Sequence, residues 1–195
     1  MKHISDEKRD RVLRAARDCF LRYGFKRTPM DDIAQLAGIS RAALYLLFPN
    51  KEGIFRTLSQ EMHDSAHERF TTALGAGGPL AERLLTAFDG KDHEFFEIVI
   101  GSPHGRELVD FNHGIGADIV EQADVLLKDA LIGGIEQAAA AGEIMLARVG
   151  MDAAECADLL LHASHGLKHG STDWSSYRRR LEYLIQLLIV ALTPG

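Results

Sequence analysis

Residues 38–55 read GISRAALYLLFPNKEGIF, and nearly every position in the run has a structural task. Gly38 allows a turn that other residues resist. Ser40 is placed to cap a helix, Leu44 and Phe48 lie four residues apart on its inner face, and Pro49 forbids its continuation. Asn50 caps the next helix. Working outward, Thr28 stands as the N-cap of the preceding helix, with Pro29 at its first position and Asp31 as a short-armed capping box. Ala34 is small enough for two helices to approach closely, and Ile33, Ala37 and Ile39 fill the space between them. Before these, a helix is predicted from about Asp6 to Tyr23, ended by Gly24. Val12, Ala16, Cys19, Phe20 and Tyr23 share its inner face. Arg9, Arg11, Arg14 and Arg17 lie opposite, as a solvated face or a phosphate-facing one. Three helices with this turn are the parts of a helix-turn-helix.

The chain of 195 residues has a formal charge of −6, which hides a split. Residues 1–58 hold twelve Lys or Arg against seven Asp or Glu, net +5, whereas residues 59–195 hold ten against twenty-one, net −11. A basic end on an acidic body fits a nucleic-acid-binding module joined to a domain that stays off nucleic acid. Cys19 and Cys156 lie in apolar helical segments, which predicts buried thiols and a reducing cytoplasm. The charged N-terminus carries no signal-peptide pattern, and the best apolar run, YLIQLLIVAL at 183–192, is too short to span a bilayer.

An outward-facing helix entering a DNA groove needs small residues and donors along its exposed side. Here those positions are Arg41, Ala42, Tyr45 and Leu46. Arg41 can read guanine or grip phosphate, Ala42 lets the backbone approach the bases, and the Tyr45 hydroxyl can donate to a phosphate oxygen. Lys51 opens the following helix, where a cation opposes the helix dipole unless an anion binds.

The run from Thr28 to Phe55, TPMDDIAQLAGISRAALYLLFPNKEGIF, resembles the DNA-binding domain of the TetR family of bacterial transcription regulators. The resemblance covers roughly residues 8–56. It implies an all-α protein with a three-helix DNA-binding head at 1–55 and a larger helical body at 56–195 for ligand binding and dimerisation. It further implies a homodimer on a double-stranded operator and a small-molecule effector. On the matching positions it places Thr28, Ser40, Arg41, Ala42, Tyr45 and Lys51 against DNA. Leu46 and Leu47 depart from relatives that carry polar groups there, leaving apolar contact, as with a thymine methyl, or inward packing.

In the body, breaks are expected at 75–79, Gly90, 101–105, Gly142, Gly150 and 169–174, with one long helix near Ile115–Ala141. The helix opened by Lys51 links head to body. Effector-pocket candidates are His63, His67, Phe70, Phe95, Phe96, Phe111, Asn112 and His113, each with plain core packing as its alternative. The histidine spacings His63/His67 and His162/His165/His169 suit a metal, yet no recognised metal motif accompanies them, so no metal and no cofactor is assigned. In the last two helices, Leu159, Leu160, Ala163 and Leu167 form one apolar face and Leu181, Leu184, Ile185, Leu188 and Leu192 another, one for the core and one for a twin. The chain lacks a nucleophile elbow, a P-loop and a zinc-protease motif, so no enzyme and no catalytic residue is expected. The functional readings are a ligand-responsive repressor, a metal-responsive regulator and a constitutive DNA-binding protein.

Overall fold

The computed structural model describes residues 2–193. Among them are nine α-helices, one short 3-10 turn at Leu146–Arg148, and no strand. The helices are α1 (Lys2–Tyr23), α2 (Met30–Ala37), α3 (Arg41–Leu47), α4 (Lys51–Leu74), α5 (Leu80–Gly101), α6 (Gly105–Ile115), α7 (Ala117–Ala140), α8 (Ala153–His169) and α9 (Trp174–Leu192). The all-α expectation holds. They form two compact units, one running through Asp64 and taking in Glu97–Glu121, the other holding Ser65–Phe96 and Gln122 onward. The compact units thus do not divide at residue 55, because α6 returns to the first.

The first unit is built on Val12, Ala16 and Phe20 of α1, Ile33 of α2, Leu44 of α3 and Ile54 of α4, all buried. Each of these side chains larger than Ala16 contributes roughly 1.5–3 kcal/mol by leaving water. Phe25, Phe55 and Phe111 join them as a ring cluster, with 4.5 Å between the centroids of Phe25 and Phe111. Gly24 has φ +82, and a Cβ there would lie 2.5 Å from the Glu107 carboxylate of α6. That close approach lets Glu107 accept from the Lys26 amide at 3.1 Å. Tyr23, expected on the inner face of α1, is half exposed: it is the last helical residue before the Gly24 turn carries the chain away.

The second unit packs Phe70 and Phe88 edge to face, with Leu84, Leu131, Ile135, Leu160 and Leu181 around them. Asp152 and Glu155 form a complete capping box on α8, and the Asp173 side chain caps α9. The expected break at Gly90 is absent, since α5 continues through it. The glycine serves contact instead: a Cβ would sit 3.1 Å from that of Arg69 on α4, whose Nε donates to the Gly90 carbonyl at 2.6 Å. Cys19 and Cys156 are free and buried. Among the described residues no helix is long and apolar enough to cross a membrane.

Candidate functional site

The geometry of α3 follows from its punctuation. Gly38 closes α2 at φ 65, with its amide bonded back into that helix, and the Ser40 hydroxyl accepts from the Ala43 amide at 3.2 Å. Phe48 ends α3 in extended backbone ahead of Pro49, and Asn50 accepts from the Gly53 amide to start α4. Leu44 and Phe48 are buried, so the opposite side of α3 faces out. On it stand Arg41, Ala42, Tyr45 and Leu46, and Leu46 is 88% exposed, whereas Leu47 packs against the unit's core. Of the two leucines, only Leu47 thus packs inward.

Arg41 is not idle. Its guanidinium donates to Asp31 of α2 at 2.6 Å and lies 5.5 Å from the centre of the Tyr45 ring. Both ion-pair partners are more than half exposed, so the pair is worth little in water and can exchange for phosphate. Asp31 therefore holds Arg41 rather than completing a capping box. α2 begins one residue later than expected, with Pro29 at its N-cap and no side-chain cap bond.

Thr28 and Lys51 both turn inward. Thr28 is 1% exposed, and its hydroxyl donates to the Gly24 carbonyl at 2.7 Å, so the side chain closes the turn after α1. The Lys51 ammonium donates to the carbonyls of Phe25 at 2.6 Å and Thr28 at 2.9 Å, with Lys26 at 3.4 Å, and sits over the Phe25 ring. Its unfavourable place at a helix start is thus answered inside the protein. Burial pushes the Lys51 ammonium below its ordinary pKa, while Glu52 and Glu107 pull it back.

The pocket candidates fall in different compact units. His63, Phe111, Asn112 and His113 belong to the first. Asn112 accepts from the Ser59 hydroxyl at 2.5 Å and lies 3.3 Å from His63 Nε2, whereas Phe111 belongs to the ring cluster described above and His113 is exposed. His67, Phe70, Phe95 and Phe96 belong to the second unit, where Phe70 is fully buried core and Phe96 meets Trp174 edge to face and packs at a tilt on Tyr177. Among the described residues no group of three or more His, Cys, Asp or Glu side chains could hold a metal. His162 pairs with Asp158, and His165 faces Asp124.

A cluster that the sequence reading missed lies in the second unit. Asp92 of α5 is fully buried and bonded by Lys91, Lys168 and Tyr177. One local sign existed: Asp92 is four residues from both Phe88 and Phe96 on the buried face of α5. Burial opposes the charge on Asp92, yet the two lysines outweigh it and hold the carboxyl well below its usual range.

Residues 12–58 match the family model for bacterial regulatory proteins of the tetR family. The head of the chain is of the TetR family. The HTH-type transcriptional regulator YhgD of Bacillus subtilis is 36% identical over 75 residues, covering 36% of this chain and 39% of that protein. The chain thus spans about two fifths of that relative's length. A transcriptional regulator of Cytophaga hutchinsonii superposes with a TM-score of 0.77 at 18% identity, over 94% of this chain and 97% of that one. SmeT, the repressor of a multidrug efflux pump of Stenotrophomonas maltophilia, superposes in its triclosan complex with a TM-score of 0.70 at 20% identity, over 96% of this chain and 92% of that one. At these identities the structural likeness shows the fold, so the TetR-family fold extends past the matched head.

Proposed function

We propose that this TetR-family protein is a cytoplasmic transcriptional repressor that binds a palindromic operator as a homodimer and is released by a small organic effector. The observation carrying the DNA half is α3: a capped helix in a unit with a basic N-terminal region, its outer face made of Arg41, Ala42, Tyr45 and the 88% exposed Leu46. Ser40 orients the first turn, Arg41 exchanges Asp31 for phosphate or guanine, and Tyr45 bonds phosphate. Leu46 meets the methyl group of thymine. Thr28 and Lys51 act one step back, fixing the backbone on which α2 and α4 begin.

The homodimer rests on α9. Leu181, Ile185 and Leu192 are buried in the unit's own core and Leu184 and Leu188 pack on it, so this face of α9 is spent at home. The outward stripe is Tyr183, Leu187 and Val190, from 57% to 74% exposed, with Leu159 of α8 half exposed. Exposed apolar residues repeating along one helix face suit a second copy of that helix. The effector half draws on SmeT, which binds triclosan and shares this fold.

Selection of bound fragments from genomic DNA with purified protein, followed by footprinting, tests the reading. The expected footprint has two-fold symmetry, with half-sites about one helical turn, ~34 Å, apart. An asymmetric footprint made by a monomer overturns it.

A further inference from the structure

One cluster in the second unit sets two largely buried cations against one buried anion. Oδ1 of Asp92 accepts from the Lys91 ammonium at 2.7 Å and also from Lys168 of α8, while Oδ2 accepts from the Tyr177 hydroxyl of α9. The carboxylate is fully engaged. Each ammonium has three N–H donors, and neither lysine has another acceptor among the described residues. Their other neighbours are rings, with Lys168 4.5 Å from the centre of Phe95 and Lys91 5.5 Å from that of Phe88. The lysine side chains are only 6% and 15% exposed. Asp124 does not restore the balance, since it is half exposed and faces His165 at 4.0 Å. Burial, then the two lysines, push His165 below its ordinary pKa, so it stays neutral.

Removing an ion from water costs several kcal/mol, and one lysine already satisfies Asp92. The second ammonium therefore has no structural task that an apolar side chain would not perform better. Its unshared donors and surplus charge suit an anion, and the flanking rings suit one with an apolar part. We propose that Lys91 and Lys168 form the anchor for a small organic acid, its carboxylate bound by both ammonium groups and its apolar part against Phe95. The proposal rests on the effector reading above and specifies the effector's class.

Melting of the full-length protein tests it, with benzoate, naphthalene-1-acetate and octanoate each set against its neutral amide, and inorganic phosphate as a further arm. At least one acid is expected to raise the melting temperature saturably while its amide does not, and Lys168→Met should abolish the shift while itself melting at or above the wild type. Lys168→Gln serves if the methionine variant does not fold. Acids and amides acting alike, no acid acting, phosphate alone acting, or a variant that keeps the wild-type shift would each overturn the acid site. An acid that binds without loosening operator DNA leaves this site standing and refutes the effector reading instead.

Discussion

At the start of α4 a single ammonium group answers the carbonyls of Phe25 and Thr28, with that of Lys26 in reach. These carbonyls belong to the turn after α1, where helical N–H donors have run out, so the cation ties that turn to the first residue of α4. Hydrogen bonds from a charged donor contribute about 1.5–3 kcal/mol, and losing them leaves partly buried oxygens unmet. Lys51→Met should therefore lower the stability of the protein by ~2 kcal/mol, read as a fall in the urea midpoint. It should also weaken operator binding without changing its salt dependence, because no phosphate contact is lost. A direct phosphate contact would instead reduce the slope of log affinity against log salt by about 0.9. That slope decides between a tether and a grip.

Within α5, α8 and α9 the buried lysine pair gives stability an unusual dependence on pH. Burial first, then repulsion from Lys91, drives the Lys168 ammonium down to about 8 from an ordinary 10.5, against the attraction of Asp92. A lysine depressed in the folded state binds its proton less tightly there than in the unfolded chain, so between those values the unfolded chain holds more protons and stability rises with pH. Below about 8 the cost is constant. The other groups facing the ammonium do not reverse this: Asp92 stays ionised, His165 stays neutral, and burial beside Asp92 raises the Tyr177 hydroxyl far above its ordinary range. The gain across the window is ~3 kcal/mol at most, read as a urea midpoint that climbs from pH 7.5 to 10 in the wild type and not in Lys168→Met. A constant gap between the two proteins contradicts this. The same elements show what a sequence displays and what it hides. The start of α3 was legible to the residue because Gly38 and Ser40 are local signals, whereas its end falls at Leu47, one residue before the Phe48 that Pro49 was expected to follow in the helix. The start of α2 slipped by one because the Thr28 hydroxyl turned back to Gly24 instead of capping forward. Gly90 read as a break since nothing nearby in sequence announces Arg69 against it. The Asp92 cluster joins residues 85 apart, beyond the reach of periodicity. The candidate aromatics were found as apolar residues, but sequence alone does not separate a core ring such as Phe70 from a lining one.

For the whole molecule the decisive quantity is the number of heads that grip DNA at once. The chain carries its excess of positive charge in residues 1–58, net +5, and the other 137 residues are net −11, so one head offers a small electrostatic footprint on a polyanion. Two heads on one operator change the second contact into an intramolecular step, which raises affinity by about 10²- to 10⁴-fold without any new kind of contact. Association through the stripe of Tyr183, Leu187 and Val190 would supply that linkage. Glutamates at two of these positions would have to be buried as charges in the shared face, whereas in a lone subunit they stand in water. Leu187→Glu combined with Val190→Glu should therefore sediment as a monomer while keeping wild-type helicity by circular dichroism. It should bind a palindromic operator at least 10²-fold more weakly and bind an isolated half-site as the wild-type head does. A double variant that remains a dimer, or a monomer that keeps full operator affinity, removes α9 from the assembly and requires the two heads to be joined elsewhere.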